Sequence, residues 1–371
     1  MKIIFITHYS KFYGANKSLY ILIKGLKDKG IEVLLVAPHS GEFTKKLEED
    51  GFKIKLINHV GFVYERYLSY LKFPFKLIIN LIFLYKLYLL HKKEKFDLVY
   101  SNSSIVSVGV IFSKMFQVPH IWHIREYGKM DYNVTYYFSP SFKRCLLKKS
   151  NLNIAISKSI KKTVLDNRNN SVVIYNGVQL SDEYSKTREI DENINFAIIG
   201  LINHNKNQLE AIEAFKLFNE KIRNSKLYII GDTNDKKYYH QIRSISSSNE
   251  NIIFTGFLSN VEEFIDNSIN ILLMCSKYEA FGRVTIEAMN LGIPVIGKSS
   301  GGTKEILQET GVLYEGDVKD LYNKMIYLVS DPSNYKAISS KSIQEVKNKY
   351  TDEHYINNVL SEIIKVYNEQ C

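Results

Sequence analysis

Short apolar runs alternate with longer amphipathic stretches along almost the whole chain. The runs are rich in β-branched residues, as buried parallel strands are, and the stretches between them have helical spacing. In chain order the runs are KIIFITH, EVLLVAP, KIKLI, DLVYSN, PHIWHI, LNIAIS, SVVIYN, INFAIIG, KLYIIG, NIIFTG, INILLMC, IPVIGK and GVLY. The pattern therefore predicts an α/β protein made of two doubly wound units in tandem.

A polar stretch, GVQLSDEYSKTREIDENI, separates the two series of runs and has neither a strand nor a helix period. We therefore expect an N-terminal Rossmann-like domain over 1–178, a linker over 179–193 and a C-terminal Rossmann-like domain over 194–351. The last stretch opens with a Thr-Asp cap and predicts a terminal helix over 352–371. Ligands of open α/β sheets bind beyond the carboxyl ends of the strands, so we expect functional residues directly after strands.

The cysteines and the first ten residues indicate in which cellular compartment the protein is expected. Cys145, Cys275 and Cys371 have no metal-type spacing, which favours reduced thiols in a cytosol over a disulfide framework or a metal site. Cys275 ends the apolar run INILLMC, so a buried, unreactive thiol is the favoured interpretation. The first ten residues lack the separate basic region and the long apolar core of a signal peptide. We expect a cytoplasmic protein.

The charge is distributed unevenly. The 371 residues include 49 basic and 39 acidic side chains, a net charge of +10, and residues 1–170 alone contain 28 basic and 12 acidic ones. Such asymmetry indicates that the first half meets an anionic surface, for which acidic lipids and a nucleic acid are the candidates. The sequence has no groove-binding motif and no basic patch interleaved with aromatic residues. We therefore expect an anionic membrane surface as partner and no nucleic acid.

The segment YLKFPFKLIINLIFLYKLYLLHKKEKF, residues 70–96, raises the membrane question directly. Its apolar part, residues 77–90, is interrupted by Lys86 and is shorter than the roughly 20 apolar residues that a spanning helix needs. It is either a helix packed on the N-terminal sheet or a helix that lies on a bilayer. With the charge, this segment predicts peripheral binding at the inner face of the cell membrane, without a spanning segment.

GIPVIGKS fits the phosphate-loop pattern G-x-x-x-x-G-K-[ST]. The residues between Gly292 and Gly297 are strand-type, however, and Pro294 removes an amide from any phosphate cradle. The following helix begins only after a second turn, SSGG, so we interpret the match as chance. A G-x-G-x-x-G is also missing after the first run, and Asp-x-Asp occurs nowhere, which gives no support to a dinucleotide oxidoreductase or to a metal-held nucleotide-sugar site.

The stretch SKYEAFGRVTIEAMNLG carries the best candidate site. It follows the strand INILLMC, and Gly282 lies at the entry of a helix, where backbone can approach a ligand closely. The free amides of residues 281–284, Phe281 among them, are at a helix N-terminus and suit an anion. Glu279 and Glu287 lie on either side, and an ionised carboxylate accepts hydrogen bonds from sugar hydroxyls.

EAFGRVTIE resembles the glutamate, any seven, glutamate signature of glycosyltransferase family 4, whose members have the GT-B fold and include bacterial glycan-synthesising enzymes. YGANKSLYILIKGLKDKGIEV is similar to the glycine loop and first helix of that family. Further similar segments, in the family's order, are PHIWHIRE, IAISKSIKK, VIYNGV, IIGLINHNKNQLEAIEAF, LYIIGD and IIFTGFLSNVEEFI. The resemblance implies two Rossmann-like domains facing across a cleft, with the terminal helix able to return to the N-terminal domain.

The resemblance also implies an activity. Family members transfer a hexose from a nucleoside-diphosphate sugar with retention, without a metal and without any cofactor other than that co-substrate. UDP and GDP both remain open, and the expected acceptor is lipid-linked or a polysaccharide. A non-catalytic GT-B scaffold and a GT-B sugar-nucleotide epimerase are the alternatives.

Site residues follow from the resemblance by position. Glu287 matches the glutamate that holds the ribose, Glu279 matches the one that holds the donor sugar at the reacting centre, and Lys206 matches the lysine on the diphosphate. Gly200 ends the first C-domain strand, and Leu258 lies where backbone meets the base.

The N-terminal half supplies two more positions. Gly14 matches the glycine loop that closes over the phosphates, although Tyr13-Gly14 stands where the family has two glycines. His123, after the strand PHIW, matches the catalytic histidine beside the transferred sugar. The family usually has an arginine after the glycine of the first C-domain strand, and Leu201 stands there instead. We expect Arg283 to supply the missing cation.

Overall fold

The computed structural model describes residues 1–64, 67–137, 140–180, 186–190 and 192–369. The chain divides into two compact units. The N-terminal unit contains Met1–Gly177 and the helix that begins at Asp352, and the C-terminal unit contains Val178–Thr351. Each unit is built on a parallel sheet with helices on its faces, which confirms the prediction of two doubly wound α/β units.

The N-terminal unit alternates strands and helices. Its strands are β1 (Lys2–Thr7), β2 (Glu32–Ala37), β3 (Lys53–Leu56), β4 (Val63–Tyr64), β5 (Leu98–Asn102), β6 (His120–Ile124), β7 (Thr135–Tyr136), β8 (Leu152–Ala155) and β9 (Ser171–Val173). Its helices are α1 (Gly14–Asp28), α2 (Glu42–Glu49), α3 (Phe73–Glu94), α4 (Val108–Phe116), α5 (Lys129–Tyr132), α6 (Pro140–Lys149) and α7 (Lys158–Leu165), with a 3-10 helix at Tyr67–Lys72 before α3.

The main sheet of this unit has the order β3-β2-β1-β5-β6-β8-β9, and β4 pairs with β7 apart from it. All pairs in the main sheet are parallel. The strand order reverses direction between β1 and β5. In an open α/β sheet the crevice beyond that point is the usual ligand site.

The C-terminal unit repeats the plan with its own elements. Its strands are β10 (Ile194–Ile199), β11 (Ser225–Ile230), β12 (Ile252–Gly256), β13 (Ile271–Met274), β14 (Val295–Lys298) and β15 (Val312–Tyr314). Its helices are α8 (Gln208–Lys221), α9 (Lys236–Ser246), α10 (Val261–Ser268), α11 (Arg283–Asn290), α12 (Gly301–Leu307), α13 (Val318–Ser330) and α14 (Pro332–Lys349). The parallel sheet has the order β12-β11-β10-β13-β14-β15, so its reversal lies between β10 and β13. Cys275 is buried at the end of β13, and burial raises the pKa of its thiol to about 12, as expected for an unreactive cysteine.

The last helix, α15 (Asp352–Asn368), belongs to the N-terminal unit. Tyr355, Val359, Ile363 and Val366 are buried in the same apolar cluster as the inner face of α1. Gly25 of α1 leaves room for Ile356, whose Cδ1 would lie 2.3 Å from a Cβ at that position. The final two residues of the predicted terminal helix lie outside the described residues.

The segment predicted as a linker is described in part, since residues 181–185 and 191 lie outside the described ranges. Residues 186–190 are irregular, and Arg188 fastens them to the C-terminal unit. Its Nε donates to the Leu291 carbonyl at 2.7 Å, one terminal nitrogen donates to the Asp266 carbonyl at 2.8 Å, and the other pairs with the Asp266 carboxylate.

The apolar segment that raised the membrane question forms α3 and the turn before it. Asn80, Phe83, Leu84 and Leu87 are buried, whereas most of the other apolar side chains of this helix are exposed. By length and composition, Tyr70–Glu94 qualifies as a span among the described residues, and 22% of its most apolar window is buried. One side of this helix therefore packs on the protein, and the opposite side does not.

Candidate functional site

The turn between β13 and α11 lies at the reversal point of the C-terminal sheet. Gly282 caps α11 with φ +95°, in the left-handed region that side chains other than glycine adopt at a cost. A Cβ there would lie 3.0 Å from the hydroxyl oxygen of Thr285, which is buried and has no hydrogen-bond partner among the described residues. Gly282 therefore places no side chain between the entry of α11 and this buried hydroxyl.

Two ion pairs flank Gly282. The Lys206 ammonium lies 2.6 Å from Glu279 Oε2, and Arg283 Nε lies 2.7 Å from Glu287 Oε1, one helical turn away. The cations are partly exposed, with 26% and 14% of their side chains accessible, and the carboxylates less so. The structure thus gathers Lys206, Glu279, Arg283 and Glu287 around one glycine turn. Arg283 faces Glu287, and its expected action on a diphosphate stays a prediction.

Hydrogen bonds fix the loop that carries Lys206 to the loop that carries Glu279. Asn205 Oδ1 accepts from the Tyr278 amide at 3.1 Å, its Nδ2 donates to the Tyr278 carbonyl at 3.0 Å, and its carbonyl accepts from the Lys277 amide at 2.8 Å. The short polar side chain thereby joins the segment after β10 to the segment after β13. These three hydrogen bonds position the Lys206–Glu279 pair.

A second glycine turn supports the first. The Gly302 amide donates to the Glu279 carbonyl at 2.7 Å. A Cβ on Gly302 would lie 2.5 Å from Phe281 Cα, so any larger residue would push the turn away. Phe281 itself is buried, and its ring lies 6.1 Å from the ring of Tyr350. SSGG in the sequence is therefore part of the turn around Glu279.

Gly200 follows β10 with φ +138°, and a Cβ there would lie 3.4 Å from Lys206 Cε. Leu201 is partly exposed, and its carbonyl accepts a hydrogen bond from Gln208 Nε2 at 3.1 Å. Leu258 lies two residues beyond β12, and β11 separates that strand from β10. Leu258 is thus on the same edge of the sheet as the ion pairs but two strands away.

Sequence reasoning missed a third ion pair. Lys298 Nζ lies 2.8 Å from Glu210 Oε1, and Glu210 is in the first turn of α8. Lys298 is the lysine of the apparent phosphate loop, but it ends the strand β14, and Gly292 precedes that strand at the end of α11. The match is therefore a strand between two turns, as its composition indicated.

In the N-terminal unit, Gly14 is the exposed first residue of α1, and a Cβ there would meet no heavy atom within 4 Å. Asn16 shapes the loop before it, because its Nδ2 donates to the carbonyls of Tyr9 and Lys11 at 3.0 and 2.9 Å. Asn16 Oδ1 in turn accepts from the Thr7 hydroxyl at 2.9 Å. This loop follows β1 at the reversal point of the N-terminal sheet.

The structure corrects the position of His123, which lies inside β6 rather than after it. The side chain is fully buried, and Nδ1 shares a hydrogen bond of 2.6 Å with the Tyr100 hydroxyl. Burial, reinforced by the nearby Arg125, holds the imidazole pKa well below its ordinary value. His123 is therefore neutral and enclosed, and its expected catalytic role gains no support from this position.

Arg125 and Glu126, which directly follow β6, occupy the edge where His123 was expected. Arg125 donates to Asn102 Oδ1, to Asn176 Oδ1 at 2.7 Å and to the Tyr355 hydroxyl at 2.8 Å. Glu126 Oε1 accepts from both hydroxyls and one amide of Ser103-Ser104, at 2.6 to 2.7 Å. Both residues are 6% exposed. The signals in the sequence were that they follow a buried strand and that they end PHIWHIRE, one of the segments similar to the family.

Comparison with known families gives two adjoining matches. The model described as Glycosyltransferase Family 4 matches residues 12–182, and the model described as Glycosyl transferases group 1 matches residues 181–345. Together the two matches extend over both units.

Among curated relatives, the capsular polysaccharide biosynthesis glycosyltransferase CapM of Staphylococcus aureus is 28% identical over 220 residues, 54% of this chain and 58% of that protein. The N-acetyl-alpha-D-glucosaminyl L-malate synthase of Bacillus anthracis is 29% identical over 135 residues, 36% of this chain and 35% of that protein. The chain thus spans between a third and three fifths of these relatives.

Among solved structures, HepE of Anabaena, in complex with UDP and glucose, superposes with a TM-score of 0.77 at 20% identity, over 98% of this chain and 99% of that one. A glycosyltransferase of Rickettsia africae superposes with a TM-score of 0.79 at 19% identity, over 100% and 98% of the two chains. At this identity the likeness establishes the fold.

Proposed function

We propose that this chain, which belongs to glycosyltransferase family 4 and has the GT-B fold, transfers a hexose with retention from a nucleoside-diphosphate sugar to a lipid-linked or polysaccharide acceptor. The observation that carries the proposal is the turn at Gly282, with the Lys206–Glu279 and Arg283–Glu287 pairs on either side. A diphosphate binds cations and the amides at a helix N-terminus, and a sugar binds carboxylates. This turn has two cations, a helix N-terminus and two carboxylates.

Donor binding exchanges the partners of the charged residues in these ion pairs. When a diphosphate reaches the turn, the Lys206 ammonium exchanges the Glu279 carboxylate for phosphate oxygens. Glu279 then accepts hydrogen bonds from the sugar hydroxyls, while Glu287 accepts from the ribose. Each carboxylate keeps a charged or hydroxyl partner throughout, so neither is left buried without one.

Lys206 also acts on the reaction itself. The bond between the sugar and the diphosphate breaks, and negative charge develops on the departing phosphate. A fixed cation and the first amides of α11 stabilise that charge, an effect typically worth about 3 kcal/mol for each donor. The acceptor hydroxyl forms the new bond on the face that the diphosphate leaves, and the phosphate takes its proton. This proposal requires no metal.

The acceptor and the location are inferred from two further observations. One matched relative is named for capsular polysaccharide biosynthesis. Residues 1–170 have many more basic than acidic side chains. Both are consistent with a cytoplasmic enzyme that works at the inner face of the cell membrane.

Thermal unfolding in the presence of UDP, GDP and their hexose conjugates tests donor binding first. A ligand at 100 times its dissociation constant adds about 2.7 kcal/mol to the free energy of unfolding, which is readily measured. The sugar nucleotide that stabilises the chain is then incubated with membrane lipid extract or glycan primer, with and without EDTA. Transfer that resists EDTA and yields the donor's anomeric configuration is the expected result.

The same experiment separates the alternatives. A scaffold would bind no sugar nucleotide, or would bind one without turnover in the presence of any acceptor. An epimerase would isomerise the free sugar nucleotide without acceptor. An inverted anomeric configuration in the product would contradict the retaining mechanism.

A further inference from the structure

The exposed side of α3 is an apolar surface without protein cover in the described part of the chain. We call the stripe formed by Phe75, Ile78, Ile82, Tyr85 and Leu89 the outer face of α3. These residues are 47% to 70% exposed, and their spacing of three and four places them on one side of the helix. Leu77 and Leu81, 40% and 56% exposed, widen the stripe. Contiguous apolar surface of this kind marks an interaction site.

The opposite side of α3 is attached firmly to the N-terminal unit. Phe83, Leu84 and Leu87 are buried in the cluster beneath the sheet. Asn80 holds Val60 by two hydrogen bonds, one from the Val60 amide at 3.0 Å and one to its carbonyl at 2.9 Å. A helix held in this way cannot cross a bilayer without breaking the unit, although its composition would allow a span. It can lie along a surface.

Charges around the outer face indicate which surface. Residues 67–93 contain no Asp or Glu, and exposed lysines stand at positions 72, 86, 92 and 93. The fifth lysine of the segment, Lys76, is turned to the protein and donates to the Val63 carbonyl. Glu94, the first acidic residue after them, is paired with Lys2. An apolar stripe bordered by lysines matches the boundary between acyl chains and anionic headgroups, where lysine side chains extend to the phosphates. A two-fold contact between copies would place the same lysines against each other.

A groove beside the outer face extends the apolar surface to α4. It has a volume of about 380 Å³ and is lined in part by Leu81, Tyr85, Ile111, Met115 and Phe116. Met115 is 59% exposed at the end of α4, next to the exposed Lys114. The same combination of apolar and basic side chains thus continues on a second helix.

We propose that the outer face of α3 lies in the headgroup region of a bilayer that contains acidic lipids and holds the N-terminal unit there. The inference names the membrane partner of the transferase proposed above. The biological purpose of membrane binding rests on the proposed function. The apolar and basic surface of α3 does not involve the donor site, so vesicle binding can be tested separately.

Flotation of the full chain with vesicles tests the inference. We expect binding to vesicles of phosphatidylcholine with phosphatidylglycerol at low salt, weaker binding at high salt, and little binding to phosphatidylcholine alone. Ile78→Glu with Ile82→Glu should lower the partition coefficient at least tenfold. The matched control, Leu217→Glu with Ile364→Glu, changes two exposed apolar residues on other helices and should stay within about twofold of the unchanged chain.

Two further measurements keep the outcomes distinct. Thermal stabilisation by whichever nucleotide the unchanged chain binds should be the same in both double variants, because none of the four residues belongs to the donor turn or to the loop that carries Lys206. Lys92→Ser with Lys93→Ser should reduce the preference for acidic vesicles. Vesicle binding that survives Ile78→Glu with Ile82→Glu would overturn the inference. A second result would also overturn it: the unchanged chain does not bind acidic vesicles and forms a dimer, and Ile78→Glu with Ile82→Glu dissociates that dimer. Vesicle binding without any nucleotide binding would contradict the proposed function and leave this inference standing.

Discussion

At the carboxyl edge of the C-terminal sheet three glutamates, two of them buried, each pair with their own cation. At the same edge of the N-terminal sheet the buried charges of Arg125 and Glu126 bind neutral groups. Glu279, Glu287 and Glu210 pair with Lys206, Arg283 and Lys298. Arg125 and Glu126, adjacent in sequence, are held by amide oxygens, hydroxyls and a backbone amide.

This difference separates exchangeable charges from fixed ones. A partly exposed cation can leave a carboxylate and pair with a phosphate. It then exchanges one ionic partner for another, so breaking the ion pair costs ligand binding little free energy. A buried guanidinium held by three neutral acceptors has no such exchange available, and moving it would leave those acceptors unsatisfied. The C-terminal edge is therefore suited to binding a charged ligand, and the Arg125 network is suited to fixing the fold.

The largest expected effect is on catalysis. Glu279→Ala should reduce sugar transfer on the order of 100-fold or more, as loss of a charged group at a reacting centre does. It should weaken sugar-nucleotide binding far more than binding of the free nucleoside diphosphate, while Glu287→Ala weakens both. Calorimetry with both ligands measures this, with the exposed Glu309→Ala as control. Equal losses for both ligands in Glu279→Ala would contradict the division of roles.

The next effect is on stability. Arg125→Met should lower the free energy of unfolding by about 3 kcal/mol, because Asn102, Asn176 and Tyr355 lose a charged donor. Lys206→Met should change it by less than about 1 kcal/mol, since its ion pair is partly exposed. Urea unfolding followed by circular dichroism measures both units, and fluorescence of Trp122, the single tryptophan, reports separately on the N-terminal unit. Similar losses of unfolding free energy in both variants would contradict the distinction between fixed and exchangeable charges.

Acid should affect the N-terminal unit through its buried histidines. Burial lowers the pKa of His120 to about 3 and that of His59 to about 4. Both are neutral in the folded chain, and the unfolded chain binds protons below about pH 6.5. Their contribution to the free energy of unfolding is therefore complete above pH 6.5. Each histidine lowers that free energy by roughly 1.4 kcal/mol per pH unit as the pH falls from 6.5, towards 4 for His59 and towards 3 for His120.

Trp122 fluorescence during acid titration measures this loss. His59→Phe, which keeps a ring against Phe83, should move the unfolding midpoint to lower pH. His204→Gln, an exposed histidine of the C-terminal unit, serves as control and should leave the midpoint unchanged. A midpoint that does not respond to His59→Phe would mean that other groups govern acid unfolding.

The smallest expected effect concerns the helix entry at Gly282. Gly282→Ala introduces a Cβ in the left-handed region and should cost about 1 kcal/mol of stability. The contact with the Thr285 hydroxyl should also narrow the approach to the first amides of α11. The free energy of binding the chain's nucleoside diphosphate should therefore fall by more than the free energy of unfolding does. Gly30→Ala, with φ +77° and open space around it, is the matched control for backbone strain alone.

The sequence was sufficient for the fold because its apolar runs coincide with the strands. Runs such as KIIFITH and INILLMC correspond to β1 and β13, and Gly282 lies at the helix entry where its loop was expected. The glycine turns and the glutamates could be found because each follows a strand directly. Finding these residues requires only the order of strand, turn and helix in the neighbouring sequence.

Contacts between distant segments could not be read in the same way. His123 was expected at a strand end, but HIWHI continues the strand by one more residue beyond it, and apolar periodicity does not define that end. Arg125 and Glu126 read as ordinary loop charges until β5 and β6 are known to be neighbours. Likewise, the pairing of Lys206 with Glu279 depends on Asn205 reaching Tyr278 across 73 positions of sequence.

The terminal helix has a consequence for the order of synthesis. The N-terminal unit needs Tyr355, Val359 and Ile363 to cover α1, yet these residues follow the entire C-terminal unit in the chain. At ribosomal speeds of roughly 5 to 20 residues per second, Val366 appears about 10 to 40 s after Gly177. During that interval the part of α1 that packs on α15 has no cover. The second unit to be translated is the first whose residues are all present. The first unit made is thus the last to be completed, and chaperones have a defined interval in which to act.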